Sequence, residues 1–311
     1  ANTANELWGD TDGQLVYHHA YGKGHVYWGV PLSSILAEHK VIKDVDYTKP
    51  HTNTYLSWIH RKTNDTDIYF ISNLRNQKEE VKMEFRMTGK VPELWHADNG
   101  TVEAADYSIK DGITTVAYTF NPEESVFVVF SKAATATSFQ KTATVSKQIT
   151  ALNETWNVSF PPNLGAPEKI ALDKLISLSE HAEDGVKYFG GTATYSKEFT
   201  LGKEWFGKTN SKFLLNLGIV KDIAEISVNG KSLGTLWKLP YQLDITSALK
   251  QGGNKIEVKV TNQWTNRITG DILHPDKKIL SGVGLRFGAG GNQLIDSGLI
   301  GPVVIHQVTQ Q

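Results

Sequence analysis

Thr261-Asn262-Gln263-Trp264-Thr265-Asn266-Arg267-Ile268-Thr269-Gly270-Asp271 brings an indole, a guanidinium, three side-chain amides and a carboxylate into one short stretch. Sugars are held by aromatic faces against their C–H surfaces and by paired polar groups on their hydroxyls, so Trp264, Asn266, Arg267 and Asp271 suit a carbohydrate. Leu236-Trp237-Lys238-Leu239-Pro240-Tyr241 offers two more rings, Trp237 and Tyr241, with the same potential. A plainer reading stands beside this one, because large aromatics are more often core than ligand platform. On that reading 261–271 is a structural loop, Trp264 is its plug, and Arg267 pairs with Asp271.

Other chemistries find less support. His18 and His19 are adjacent on an expected strand and point to opposite faces, so they cannot share a metal without distortion; His60 and His96 also lie near strands. Glycoside hydrolysis needs two carboxyl groups about 5 to 9.5 Å apart across a cleft, and nothing in the spacing of the 33 acids singles out such a pair. Asp222, Glu225, Asp244 and Asp271 read as solvated or turn-forming. Gly282, Gly284, Gly288, Gly290 and Gly291 crowd together, but a dinucleotide loop needs a helix start after it. Asn292 to Gly298 is no helix start, so the cluster reads as a loop at the mouth of a sandwich. Neither a Gly-x-Ser-x-Gly elbow nor a His-Glu-x-x-His pair occurs, and the absence of cysteine removes thiolate metal sites and disulfides.

Residues that could act on a sugar need a scaffold, and the composition says which kind. With 311 residues the chain is long enough for two domains at about 150 residues each. Lys and Arg number 32 against 33 acids, a formal charge of -1, which argues against nucleic acid or an anionic membrane as the main partner. The longest apolar runs, such as Val126 to Phe130, fall far short of the roughly 20 residues of a membrane helix. The start, Ala1 to Glu6, has neither Met nor a leader pattern, so the expectation is a processed chain or a piece of a longer one.

Residues 1 to 40 read as strand (Gln14–His19), turn (Gly22–Gly24), strand (His25–Val30) and a helix opened by Pro31. That is too little to enclose a core, so 1–45 is expected to be the remnant of a preceding α/β domain. From 46 to 134, short aromatic and β-branched runs alternate with turn clusters, the signature of a sandwich of about seven strands. Ala133 to Ser138 is small and polar, a linker candidate. A second β region follows over 135–311, with Asn229-Gly230 as a strong hairpin signal. Residues 168 to 180 fit neither a helical nor a strand period.

Tyr188-Phe189-Gly190-Gly191-Thr192-Ala193-Thr194-Tyr195, Leu217-Gly218, Val228-Asn229-Gly230-Lys231, Trp237, Pro240-Tyr241, Val260-Thr261-Asn262, Asn266-Arg267, Gly270-Asp271 and Gly298-Leu299-Ile300-Gly301-Pro302 resemble the jelly-roll sugar-binding domain of family 2 glycoside hydrolases. They are closer still to its relative at the C-terminus of bacterial α-L-rhamnosidases of glycoside hydrolase family 106, and depart from it at Leu178 and Gly190. Trp58-Ile59-His60-Arg61, Asp67 to Asn73, Pro92-Glu93-Leu94-Trp95-His96 and Ser125 to Phe130 are similar to the small sandwich before that domain. Gly22 to Gly29 is similar to the last strand of the α/β domain before that.

The resemblance implies a mainly β fold: an immunoglobulin-like β-sandwich followed by a galactose-binding-like jelly roll, behind a short α/β remnant. It implies a hydrolase parent whose catalytic carboxylates lie in an N-terminal barrel outside this sequence, since a barrel takes about 250 residues. This chain is then the accessory part, bracing that catalytic domain and contacting plant-type polysaccharide through Trp237, Tyr241, Trp264, Asn266, Arg267 and Asp271. It further implies a secreted or periplasmic bacterial setting, no required cofactor, and room for a structural calcium ion. Two rival readings are a purely structural module and a free-standing carbohydrate-binding protein.

Overall fold

The computed structural model describes residues 2–207, 211–280 and 293–310. The chain forms two compact units, 1–141 and 142–311. No helix among the described residues is long and apolar enough to cross a membrane.

The first unit opens with helix α1 (Asn2–Trp8), the hairpin β1 (His18–Tyr21) and β2 (Gly24–Tyr27), and helix α2 (Leu32–Glu38). The sequence places the first strand four residues too early. Asp12 Oδ1 accepts the backbone N–H groups of Gln14, Leu15 and Val16 at 2.8 to 2.9 Å. This Asx turn occupies the donors that a ladder would need. From Asn2 to Asp44 the only buried residue is Thr11.

A sandwich follows, built from β3 (Val45–Tyr47), β4 (Leu56–Lys62), β5 (Asp67–Asn73), β6 (Glu79–Phe85), β7 (Lys90–Trp95), β8 (Val102–Ala104), β9 (Asp106–Lys110), β10 (Ile113–Phe120), β11 (Ser125–Ala133) and β12 (Ser138–Phe139). They pair as two five-stranded sheets, β12-β9-β10-β6-β3 and β4-β5-β11-β7-β8. Strict alternation along β5 and β6 sends Tyr69 and Ile71 from one sheet, and Val81, Met83 and Phe85 from the other, into a shared core. The expected seven strands are ten. The shortest three, Val45–Tyr47, Val102–Ala104 and Ser138–Phe139, are too brief to show a period.

The expected linker belongs to this sandwich. Ile109 N–H donates to the Thr137 carbonyl (2.7 Å), Tyr107 Oη donates to the Ala136 carbonyl (3.2 Å), and β12 pairs with β9. The boundary between the units therefore falls after Lys141 and not at 134.

The second unit contains β13 (Thr144–Ala151), β14 (Trp156–Ser159), β15 (Lys169–Leu172), α3 (Asp184–Lys187), β16 (Thr192–Leu201), β17 (Ser211–Asn216), β18 (Ile219–Lys221), β19 (Ile223–Val228), β20 (Lys231–Leu236), β21 (Gln242–Asp244), β22 (Gly252–Thr261), α4 (Thr265–Leu273), β23 (Gly298–Gly301) and β24 (Val304–Gln310). A four-stranded sheet, β13-β24-β17-β21, and a six-stranded sheet, β15-β14-β16-β22-β19-β20, enclose a core around Trp156, Tyr195, Leu215 and Ile256. The stretch without a clear period, 168–180, is β15 followed by a single 3-10 turn at Leu178–Glu180. Asn229 and Gly230 link β19 to β20 with φ of 52° and 79°, the pair of left-handed residues that a tight hairpin of this twist requires.

One ion network in the first unit sets a pH response. His96 Nε2 lies 3.1 Å from Glu103 Oε1, and Lys141 Nζ lies 3.0 Å from Glu103 Oε2. The His96 hydrogen bond, aided by Lys141 and opposed by burial, holds the Glu103 carboxyl down at about 2 from 4.5. The same bond raises the His96 imidazole above 6.5. The carboxylate's contribution is present above 4.5 and lost as pH falls toward 2. That of His96 is present below 6.5 and lost as pH rises through its raised folded value. Because Glu103 is partly exposed, the whole effect is expected to stay below about 1 kcal/mol. Replacing Glu103 with Gln should bring the His96 midpoint, followed by NMR titration, back toward 6.5; an unmoved midpoint would show that the pair is not coupled.

Candidate functional site: a helix with its polar face inward

Residues 265–273, expected as loop, form helix α4, and its amphipathicity is inverted. Asn266, Arg267, Gly270 and Asp271 recur at helical spacing and are buried, while Ile272 and Leu273 are exposed. A search for apolar stripes passes over such a helix, because its periodic residues are polar.

Each inward group has a partner. Arg267 Nη2 donates to Asp271 Oδ1 at 2.8 Å, both side chains being almost wholly buried. The same carboxylate accepts the Ile279 N–H on Oδ1 (3.1 Å) and the Leu280 N–H on Oδ2 (2.9 Å). Asn266 grips the backbone of Ile295 on both sides: its Oδ1 accepts the N–H (2.9 Å) and its Nδ2 donates to the carbonyl (2.7 Å). Just before the helix, Asn262 Nδ2 donates to the Phe189 carbonyl (2.9 Å) and to Ser297 Oγ (2.5 Å), and Asn262 Oδ1 accepts the Gly191 N–H (2.8 Å). Ser297 N–H in turn donates to Ser177 Oγ (3.0 Å). One helix and its lead-in therefore fix 279–280 on one side and 295–297 on the other. The Gly282–Gly291 cluster between them lies outside the described residues.

The helix packs as closely as backbone allows. A Cβ on Gly270 would stand 2.6 Å from Tyr188 Cγ, and one on Gly190 would stand 3.0 Å from Arg267 Cβ and 3.3 Å from Trp264 Cε3. The departure at Gly190 thus sits where a larger residue would push on Trp264 and Arg267. Tyr188 also lies 6.0 Å below the Arg267 guanidinium, so the cation has an aromatic face as well as a carboxylate.

The six expected sugar contacts divide sharply. Trp237 is 59% exposed and Trp264 44% exposed. Tyr241 is buried, its hydroxyl donating to the Asp222 carbonyl, and burial raises its pKa, with Asp222 adding to the shift. Asn266, Arg267 and Asp271 are committed to the bonds above. Two details of the plainer reading need correction as well: Trp264 is not a buried plug, and Asp271 is not solvated. Asn262, Ser297 and Ser177 complete the network, and only the polar type of Asn262 beside a strand end hinted at it.

The other buried acids are paired within the first sandwich. The buried acids among the described residues are Asp67, Glu79 and Asp271. Asp67 meets His60 and Lys90 at 3.1 Å each, and Glu79 meets His51, Thr54 and Gln77. His18 turns to His25 (2.7 Å between ring nitrogens), whereas His19 lies against Gly9, as opposite faces require. Among the described residues no cluster of three or more His, Asp or Glu is arranged to hold a metal ion.

Residues 1–109 match the family of glycoside hydrolase family 106, described as alpha-L-rhamnosidase, and residues 168–279 match the glycosyl hydrolase 2 galactose-binding domain-like family. The structure of a rhamnosidase from Novosphingobium sp. PP1Y superposes with a TM-score of 0.88 at 35% identity, over 98% of this chain and 28% of that one. The chain resembles a family 106 glycoside hydrolase. A putative beta-glucuronidase of Formosa agariphila is 50% identical over 121 residues, 39% of this chain and 10% of that protein. A β-glucuronidase structure from Ruminococcus gnavus covers 55% of this chain and 30% of its own at 19% identity and a TM-score of 0.35, too remote to carry an argument. The chain thus spans between a tenth and somewhat over a quarter of these first two relatives. What it has in common with the rhamnosidase is the mainly β fold and a relation to glycosidases.

Removing one member of the buried pair strands the other. Asp271→Asn leaves the Arg267 charge uncompensated and is expected to cost about 3 to 5 kcal/mol. Asn266→Ala, which loses two neutral bonds, is expected to cost about 1 to 3 kcal/mol. Urea unfolding followed by tryptophan fluorescence checks both; a loss below about 1 kcal/mol for Asp271→Asn would mean that the pair is effectively solvated.

Proposed function

We propose that the chain is the accessory, non-catalytic part of a bacterial glycoside hydrolase of the α-L-rhamnosidase type, acting on plant polysaccharide outside the cytoplasm. It braces the catalytic portion and touches carbohydrate through Trp237 and Trp264. The observation that carries the bracing role is the uncovered state of residues 2–44. Trp8, Leu15, Tyr17, Tyr21, Trp28, Leu32 and Leu36 are all exposed there, and only Thr11 is buried. Apolar side chains in that density on a segment with almost nothing buried ask for a protein surface to cover them. A catalytic portion on the same polypeptide is the occupant that the likeness to a much longer rhamnosidase supports.

Carbohydrate contact falls to the two exposed indoles of the jelly roll, because Asn266, Arg267 and Asp271 are buried and bonded within the fold. Their role in this proposal is to hold the backbone around Trp264. The ring rests on Gly190 on one side, leaving the rest of its surface to a sugar.

Two measurements check the proposal. Rhamnose-containing oligosaccharides should quench tryptophan fluorescence, and Trp264→Ala together with Trp237→Ala should abolish the response; a response that survives both changes removes the indoles from the binding role. A separately expressed catalytic portion should co-purify with the chain, and Trp28→Asp with Leu32→Asp should weaken that association by at least about tenfold. Equal capture of both forms would remove residues 2–44 from the bracing role.

A further inference from the structure

Antiparallel sheets of a sandwich turn one face to the core and the other to water, so their outward residues are normally polar. The sheet β12-β9-β10-β6-β3 obeys this rule: Glu80, Lys82 and Glu84 of β6 point outward, with Thr119 and Thr115 of β10 beside them. The sheet β4-β5-β11-β7-β8 does not. Its register aligns Ile59, Phe70, Phe127, Trp95 and Val102 in one row that crosses all five strands. Residues paired across a ladder share a face, and this face is the one turned away from Tyr69, Ile71, Val126, Val128 and Leu94, which the same strands send into the core. None of the five residues in the row belongs to that core. Ile59, Trp95 and Val102 are exposed, and the half-buried rings of Phe70 and Phe127 lie 4.9 Å apart between them.

The charges beside this row say what covers it. The next row along the strands is Arg61, Ile68, Val129 and Glu93. Ile68 and Val129 extend the apolar strip over the two central strands, β5 and β11, and the charges flank it, Arg61 on β4 and Glu93 on β7. On the other side Ser57, Ser72 and Ser125 add no charge. Lys132 occupies Oε1 of Glu93; Glu93 Oε2 and the Arg61 guanidinium have no partner among the described residues. Opposite charges placed one strand to either side of a two-stranded centre complement themselves. When a second copy is turned by 180° about an axis that runs along the strands between β5 and β11, its β7 lies over β4 and the rows stay in step. Arg61 then meets the partner's Glu93 at two equivalent places, Ile59 meets the partner's Trp95, and Phe70 meets the partner's Phe127. This is the reciprocal pattern of a two-fold interface, made by two sheets packed face to face at about 10 Å.

We propose that the chain associates with a second copy of itself through the outer face of β4-β5-β11-β7-β8, as a two-fold dimer. The row from Ile59 to Val102 is its dry centre, and the reciprocal pairs of Arg61 with the partner's Glu93 set its register and orientation. The inference needs no carbohydrate, and it stands apart from the bracing role of residues 2–44, which lie on other elements.

The test is sedimentation velocity of the full chain over a range of concentrations. At about 100 μM the chain should sediment with twice its own mass, and it should dissociate on dilution. Trp95→Asp should weaken association at least about tenfold. Arg61→Glu should weaken it to a similar degree by setting carboxylate against carboxylate, and Arg61→Glu combined with Glu93→Arg should return it to within about threefold of the parent. Arg61 is exposed and its side chain bonds nothing in the fold, so that change keeps the test informative if Trp95→Asp impairs the sandwich. Trp28→Asp with Leu32→Asp should leave the dimer intact. A monomer at every concentration overturns the proposal, as does a dimer that survives both Trp95→Asp and Arg61→Glu. Failure of the double charge reversal to recover association, in a protein that melts like the parent, overturns it too. A monomeric chain that still captures a separately expressed catalytic portion leaves the bracing role standing and this proposal refuted; a dimer without that capture does the reverse.

Discussion

A guanidinium and a carboxylate buried on one side of a nine-residue helix lose hydration that their mutual attraction alone does not restore. The jelly roll makes up the difference with backbone. The Arg267–Asp271 pair is completed by two N–H donors from 279 and 280, the neighbouring Asn266 by both groups of Ile295, and the Tyr188 ring lies beneath the cation. Only Arg267 Nε, among the polar atoms of this face, stays without a partner. Helix α4 stays in place because irregular chain on both sides needs its side chains, and that chain is ordered because α4 is there. The position of Trp264 and the surroundings of Gly190 follow from this mutual dependence.

Elements were legible in the sequence where one physical rule acted alone. Aromatic and β-branched runs along 67–72 and 81–86 announce strands, and Asn229-Gly230 announces its hairpin because both residues tolerate the left-handed backbone that the turn demands. Where two rules compete, the reading slips. Gln14 to Val16 alternate well enough for a strand, yet the Asp12 side chain takes their N–H groups first. In α4 the usual sign of burial is reversed, so residue type misleads although the spacing of 266, 267, 270 and 271 is helical. The candidate site was legible as a cluster of types. Which of its members face solvent was not, because Asn, Arg and Asp are drawn inside only by backbone groups far away in sequence.

The two units differ in how they treat charge. In the first sandwich, buried carboxylates meet histidine and lysine near the sheet edges, as Asp67 does with His60 and Lys90. In the jelly roll, Arg267 and Lys197 are inward cations: Arg267 meets a carboxylate and an aromatic face with its Nε left over, and Lys197 donates to the Thr155 carbonyl.

The short strand Ser138–Phe139 also bears on how this polypeptide can be divided. It forms the outermost member of its sheet and is backed by bonds from Tyr107 and Asp106 to residues 136 and 141. A cleavage placed in the small-residue stretch near 134 would peel that strand away and bare the ladder of Asp106–Lys110, an unpaired edge of the kind that recruits other strands and drives self-association. Severed after Lys141, the sandwich keeps its own selvedge, and the jelly roll begins at a residue that no strand of its neighbour requires.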